Sequence, residues 1–202
     1  MSATSHRYFA INKPYRMVSQ FVSPDKVRLL GHLKFDFPEG THAIGRLDNH
    51  SEGLLLLTTN KKVTRLLFQG QVPHKRIYLV LVKGLVEAPA LHLLRTGITL
   101  PGKGHDDYTT LPCDVEIVAP PPNLPPLDPS HTWKVPETWL QITLTEGKFH
   151  QVRKMVTTVG HRCKRLIRVA IEDIELGGLA PGAVRELEET DFFRLLHIDN
   201  WQ

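Results

Sequence analysis

The chain has little of what staples or anchors small proteins. Cys113 and Cys163 are its only cysteines, too few for a disulfide framework or a zinc pattern, which makes a reducing cytosol the default setting. No apolar run could span a bilayer, and the N-terminal MSATSHRYFAINKPYRM lacks the unbroken apolar core of a signal peptide. The chain therefore reads as soluble and intracellular. There is no Gly-x-Ser-x-Gly elbow for an acyl-transfer serine. Gly102-Lys103-Gly104 has neither the earlier glycine nor the following Ser/Thr of a P-loop, so nucleotide hydrolysis is not indicated. No internal repeat is present. Neither sign of charge dominates: 25 Lys and Arg face 21 Asp and Glu, a net +4 that is compatible with nucleic acid without pointing to it.

What is present suffices for a core. The sequence is 41% hydrophobic, which argues against disorder, and its 202 residues fit one large domain or two joined halves. Tyr8–Asn12 and Met17–Val22 read as strands separated by Lys13-Pro14, and Ser23-Pro24-Asp25 as a turn. Leu54–Thr59 is short, apolar and flanked by turn residues, hence a buried strand. Asn60 can cap a short helix with Val63, Leu66 and Leu67 on one face and Gly70 past its end. Ile77–Val82 reads as a central strand, Ala88–Arg95 as a helix, and Thr109–Val118 and Trp139–Thr145 as strands. Between those two, residues 119–136 are Pro-rich, either a polyproline ligand or a stiff surface loop. A helix is expected over Phe149–Val159, strands near Leu166–Ile171, and an amphipathic segment over Asp191–Ile198. Many strands with interspersed helices predict a mixed α+β fold.

Two stretches stand out. In HAIGRLDNHSEGLLLLTTN a polar loop with Arg46 and Asp48 feeds through Gly53 into the Leu-rich strand. That is how catalytic side chains are commonly held, although an isolated loop Asp also serves as a turn cap. Asp48, His50 and Glu52 alternate, but no second ligand cluster completes a metal site, so no metal is expected. The second stretch, EGKFHQVRKMVTTVGHRCKRLIR, gathers Lys148, Arg153, Lys154, Arg162, Lys164, Arg165 and Arg168 around the single acid Glu146. Helical spacing places Phe149, Val152, Met155, Val156 and Val159 on a buried face, with His150, Gln151, Arg153, Lys154 and Thr157 opposite. Such a run is either a solvated face or a phosphate-binding surface; its concentration and the interleaved His and Gln suit the latter.

Taken together, these residues resemble the pseudouridine synthases of the RsuA-type branch, which modify ribosomal RNA. The matching pieces are Gly45-Arg46-Leu47-Asp48 with Ser51-Glu52-Gly53-Leu54-Leu55-Leu56-Leu57-Thr58, then Lys75-Arg76-Ile77-Tyr78. Glu146 through Met155, continuing to Arg165-Leu166-Ile167-Arg168, completes the order. Asn12-Lys13-Pro14-Tyr15 and the Pro-rich insert before Val135–Leu140 look most like the E type of the synthases that act on large-subunit rRNA. Relatives often carry an S4-like RNA-binding domain; this chain begins almost at its first strand, so docking is expected of the catalytic body. Glu172 stands where many relatives have glycine, which puts that turn in question.

The resemblance implies one catalytic domain over residues 1–202, in two subdomains, with a mixed, mostly antiparallel sheet and flanking helices. It implies an isomerase acting on a flipped uridine, expected in domain V of 23S rRNA; another rRNA or tRNA site, or a non-catalytic RNA-binding or ribosome-assembly role, are the alternatives. By the same resemblance Asp48 is the nucleophilic carboxylate, Tyr78 stacks on the base and helps remove the C5 proton, and Arg153 pairs with Asp48. Leu166 walls the uracil pocket. Arg46, Lys148, Lys154, Arg165 and Arg168 are expected at phosphates, with His150 and Gln151 on the same substrate-binding surface. No cofactor is implied, since the isomerisation is redox-neutral. The expected setting is the cytoplasm, the expected partner RNA rather than a membrane, and the expected state a monomer.

Overall fold

The computed structural model of the chain describes residues 6–69, 72–102, 106–122, 124–125, 135–199 and 201. In chain order its first elements are β1 (Tyr8–Lys13), β2 (His42–Ile44), β3 (Glu52–Thr58), α1 (Val63–Gln69), β4 (Arg76–Lys83) and α2 (Ala88–Thr96). Next come β5 (Thr99–Leu100), β6 (Tyr108–Thr109), β7 (Asp114–Val118), β8 (Glu137–Leu144) and α3 (Gln151–Thr158). β9 (Cys163–Ile171), β10 (Ile174–Glu175), β11 (Val184–Leu187) and α4 (Glu189–Leu195) complete the described elements. They fall into two compact units, Met1–Arg76 with Ile167–Gln202, and Ile77–Leu166.

In the first unit β1 runs antiparallel to both β11 and β3, with Tyr8 opposite Leu187 and Thr58. β2 is also antiparallel to β3, whereas the start of β3 is parallel to β9, Gly53 opposite Arg168. A strand enclosed in this way is buried on both faces, which explains why the leucines of β3 run without alternation. Leu54, Leu55, Leu56 and Leu57 are all fully buried, each contributing roughly 1.5–3 kcal/mol relative to exposure. On β1 the two-residue period decides which aromatics meet. The Tyr8 ring lies 4.5 Å from Phe192 and 5.4 Å from Phe193 on α4. Phe9, one residue on, meets Phe35 and Phe37 at 5.5 and 5.7 Å. Tyr8 donates its hydroxyl hydrogen to Glu189 and accepts one from Asn60.

In the second unit β7 pairs antiparallel with β8, Asp114 opposite Thr143, and β4 lies on the other side of β8. Thr138, Leu140, Ile142 and Leu144 of β8 are buried in strict alternation, as the sequence pattern predicts. Val152, Met155 and Val156 form the buried stripe of α3. The sheet pairing is mixed and mostly antiparallel, and the α+β expectation is borne out.

Three local expectations need correction. Met17–Val22 alternates as a strand should, with Met17 and Ser19 buried and Val22 exposed, yet forms only a bridge, Met17 to Arg28. That bridge is parallel, with the Val18 N–H on the Arg28 carbonyl at 2.9 Å, so the turn at Ser23–Asp25 is not followed by an antiparallel hairpin ladder. Thr109–Val118 is two strands, β6 and β7, rather than one. The helix expected over Phe149–Val159 begins at Gln151, because His150 takes a left-handed conformation with φ 54°. Gly70 and much of the Pro-rich loop over 119–136 lie outside the described residues. No helix among those described is long and apolar enough to cross a membrane.

At Glu172 the turn persists without glycine. The residue adopts φ 45°, a conformation that costs an ordinary residue roughly 1–2 kcal/mol. Its carboxylate compensates locally: it accepts the Lys75 backbone N–H at 2.6 Å and lies 3.4 Å from His74 and 3.5 Å from His197. Its own N–H donates to the Lys75 carbonyl at 3.0 Å.

Candidate active site

The Asp48 loop belongs to the first unit and is held at several points. Ile44 ends β2 and Glu52 begins β3, so the seven residues between are a loop anchored at both ends. The Ser51 N–H closes it on the Asp48 carbonyl at 2.9 Å. Leu47 is clamped by Ser19, whose hydroxyl accepts the Leu47 N–H at 2.9 Å and donates to the Leu47 carbonyl at 2.8 Å. Both residues are buried. The result is a half-buried Asp48 beside a fixed backbone, with Arg46 and His50 exposed.

Two glycines make the loop possible. Gly45 has φ 73°, and a Cβ there would stand 2.7 Å from the Phe68 ring. That ring in turn carries the Arg76 guanidinium at 4.9 Å. Gly53 has φ 98°, and a Cβ would meet the Arg168 carbonyl oxygen at 2.3 Å. The glycine therefore permits the β3–β9 backbones to approach. Arg168 fixes the same point from its side chain, donating Nε–H to the Leu54 carbonyl at 2.8 Å.

A buried lysine sits in the field of this loop. Lys13 is fully buried at the end of β1 and donates to the carbonyls of Met17 at 2.6 Å and Pro14 at 3.0 Å. Burial pushes its ammonium down to about 7, opposed by the negative charges of Glu52 and Asp48 and reinforced by Arg168. Asp48, Glu52, Lys13 and Arg168 thus form one electrostatic group within the first unit.

The second unit holds Tyr78, Arg153 and Leu166 among the expected residues. Tyr78 is buried on β4, and Leu166 is buried on β9. Arg153 is half-buried on α3 and donates from Nη1 to the Cys163 sulfur at 3.5 Å. Its positive charge lowers the Cys163 pKa, but burial is larger and the thiol is raised overall. Lys164 pairs with Glu137, and both are in this unit.

The expected phosphate contacts divide into two kinds. Lys148 and His150 are exposed and Lys154 is half-buried at the start of α3. Gln151, expected on the open face, is instead buried: it lies four residues before Met155 and so falls on the buried stripe of α3. Its side chain donates to Glu146 at 2.5 Å and accepts the Lys148 N–H at 2.9 Å, so it shapes the turn. Arg165 and Arg168 are 6% and 3% exposed. Their guanidinium groups are engaged by the carbonyls of Pro125 and Leu54 rather than displayed at the surface.

Sequence reasoning missed Ser19 and the structural part played by Glu146, which accepts from Tyr108, Leu111 and Gln151. Ser19 had a weak signal, as a polar residue in phase with buried Met17. Glu146 had a better one, as the lone acid in a basic segment.

Comparison with known proteins shows the family. The family model for RNA pseudouridylate synthase matches residues 7–158, and the chain belongs to that family. It is 38% identical over 173 residues to the ribosomal large subunit pseudouridine synthase E of Xanthomonas axonopodis pv. citri, covering 85% of this chain and 88% of the relative. A synthase of the same name from Vibrio parahaemolyticus is 35% identical over 91% of this chain and 75% of its own. A solved structure described as a pseudouridylate synthase superimposes with a TM-score of 0.76 at 26% identity, over 96% of this chain and 76% of that one.

Proposed function

We propose that this protein converts a uridine of ribosomal RNA into pseudouridine, with domain V of 23S rRNA as the substrate region. The observation that carries the proposal is the Asp48 loop, whose backbone beside that carboxylate is fixed by Ser19 on Leu47 and by the conformations of Gly45 and Gly53. The names of the relatives, synthases of the large ribosomal subunit, support the choice of RNA.

The target base leaves its stack before reaction, at a cost of a few kcal/mol, roughly, that contacts in the pocket must offset. The Asp48 carboxylate starts cleavage of the bond between C1′ and N1. The detached uracil turns, C5 bonds to C1′, and the C5 proton departs while N1 gains one. Tyr78 stacks on the base and assists removal of the C5 proton. Arg153 is assigned as the cation that pairs with the Asp48 carboxylate, and Leu166 as the apolar wall. Arg46, Lys148, His150 and Lys154, which reach the surface, are assigned RNA contacts. Gln151, Arg165 and Arg168 act on the RNA through the backbone they position. Both units together are assigned to one catalytic domain, acting as a monomer in the cytoplasm.

The test is tritium release from C5-labelled uridine in a 23S transcript, comparing the protein with Asp48→Asn. Release that disappears in the variant while RNA binding persists supports the synthase, and mapping of the product names the site. No release from 23S, 16S or tRNA transcripts, nor from partly assembled ribosomal particles, would replace it with a non-catalytic RNA-binding role.

A further inference from the structure

The left-handed turn at His150 does more than start α3 late. It takes Phe149 off the helix, away from the buried stripe that its spacing predicts, and leaves it 75% exposed. Among the described residues no other phenylalanine is as exposed. The ring is not loose. It stacks on the His150 imidazole with centroids 3.9 Å apart and planes 16° from parallel. The turn beneath is braced, because Glu146 accepts from Tyr108, the Leu111 N–H and Gln151, and Gln151 returns a bond to the Lys148 N–H.

One cation lies over this ring and a second over the ring of Tyr108, which braces the turn. Lys154 Nζ lies 6.0 Å from the Phe149 centroid, and Lys148 Nζ lies 4.6 Å over the Tyr108 ring. An apolar face held rigidly in water gains nothing for folding. A largely exposed aromatic ring with lysines close by matches a nucleobase with its phosphates: the exposed ring takes the π-face and the lysines take the backbone. A paired base offers no free face, so such a platform selects unpaired RNA.

We propose that Phe149, backed by His150, is a stacking platform for an unpaired nucleobase of the substrate RNA, distinct from the uridine that is isomerised. The inference rests on the RNA reading above and refines its substrate class to a loop, bulge or single strand. A second copy of the chain or another protein is the competing occupant, and the nearby Lys148 and Lys154 disfavour a basic partner.

The probe is a single-stranded oligoribonucleotide containing 2-aminopurine, with the same strand in a duplex as control. Phe149→Ala should weaken binding of the single strand by about tenfold or more and lose the quenching of 2-aminopurine, while Phe149→Trp stays within about threefold of the parent. The duplex should bind both variants alike. Phe149→Ala should leave the salt dependence unchanged, whereas Lys148→Ala and Lys154→Ala should each flatten it. Because Phe149 is exposed, circular dichroism should show both variants folded. Binding by Phe149→Ala within twofold of the parent, or an equal loss on the duplex, overturns the inference. So does concentration-dependent self-association that Phe149→Ala abolishes. Tritium release by the parent protein reports separately on the reaction: release with an indifferent Phe149 refutes only the platform, and silence with a Phe149-dependent single strand refutes only the reaction.

Discussion

Ser19→Ala removes the clamp on the residue before Asp48, the proposed nucleophile, while leaving that carboxylate itself in place. The serine hydroxyl satisfies both backbone groups of Leu47, at 2.9 and 2.8 Å, in a buried setting. Each buried group left without a partner costs about 1–3 kcal/mol. Loss of the hydroxyl's own desolvation and admission of water recover part of this, so the net destabilisation should be about 2–3 kcal/mol. That is a fraction of the roughly 5–15 kcal/mol that keeps a domain folded, so the variant should remain native at 25 °C. In urea, with a slope of about 2 kcal/mol per M, the midpoint should fall by about 1–1.5 M. Displacement of a reacting group by 1 Å costs about a hundredfold in rate, and relaxation at Leu47 should reach a good part of that. We expect kcat for pseudouridine formation to drop about 10- to 100-fold with KM nearly unchanged, since no RNA contact is removed. The assay is tritium release at temperatures where circular dichroism shows full folding. An unmoved midpoint and turnover within twofold would refute the reasoning.

Other perturbations probe the same unit. Gly53→Ala places a Cβ against backbone atoms of Arg168 that cannot rotate away; it should cost more than about 3 kcal/mol, in strain and displaced strand pairing, by urea unfolding. Gly45→Ala meets the partly exposed Phe68 ring instead, so about 1–2 kcal/mol is expected, and equal costs would count against the distinction. Lys13→Met tests the buried ammonium. With the folded value near 7 and the ordinary value 10.5, the unfolded chain binds the extra proton between those limits, so this group makes stability rise with pH from about 7 to about 10.5. The stability of the parent minus that of Lys13→Met should therefore grow by about 1.4 kcal/mol per pH unit between pH 7.5 and 9.5 in denaturant titrations. A flat difference would mean that Lys13 titrates normally.

Much of this protein is legible before any folding is considered. The ordered motifs around Asp48, Tyr78 and Arg153 point to the family, and the strands β1, β3, β4 and β8 follow from apolar period and turn residues. Those features are local: a two-residue alternation or a glycine-bounded leucine run carries its information within a few positions. Orientation within the basic segment is different. One left-handed residue, His150, starts the helix after Phe149 and leaves that ring outward, while Gln151, four residues before Met155, joins the buried stripe. Periodicity cannot register that break before the helix, where Glu146 gathers bonds from Tyr108, Leu111 and Gln151. Arg168 shows the limit most plainly. Its guanidinium looks in sequence like any surface cation, and it is buried because Leu54, 114 residues earlier, brings a carbonyl to 2.8 Å. Sequence alone determines which chemical groups are available and in what local pattern; only the tertiary structure decides which of them are committed to one another and which are left facing water, since burial is a property of neighbours distant in the chain.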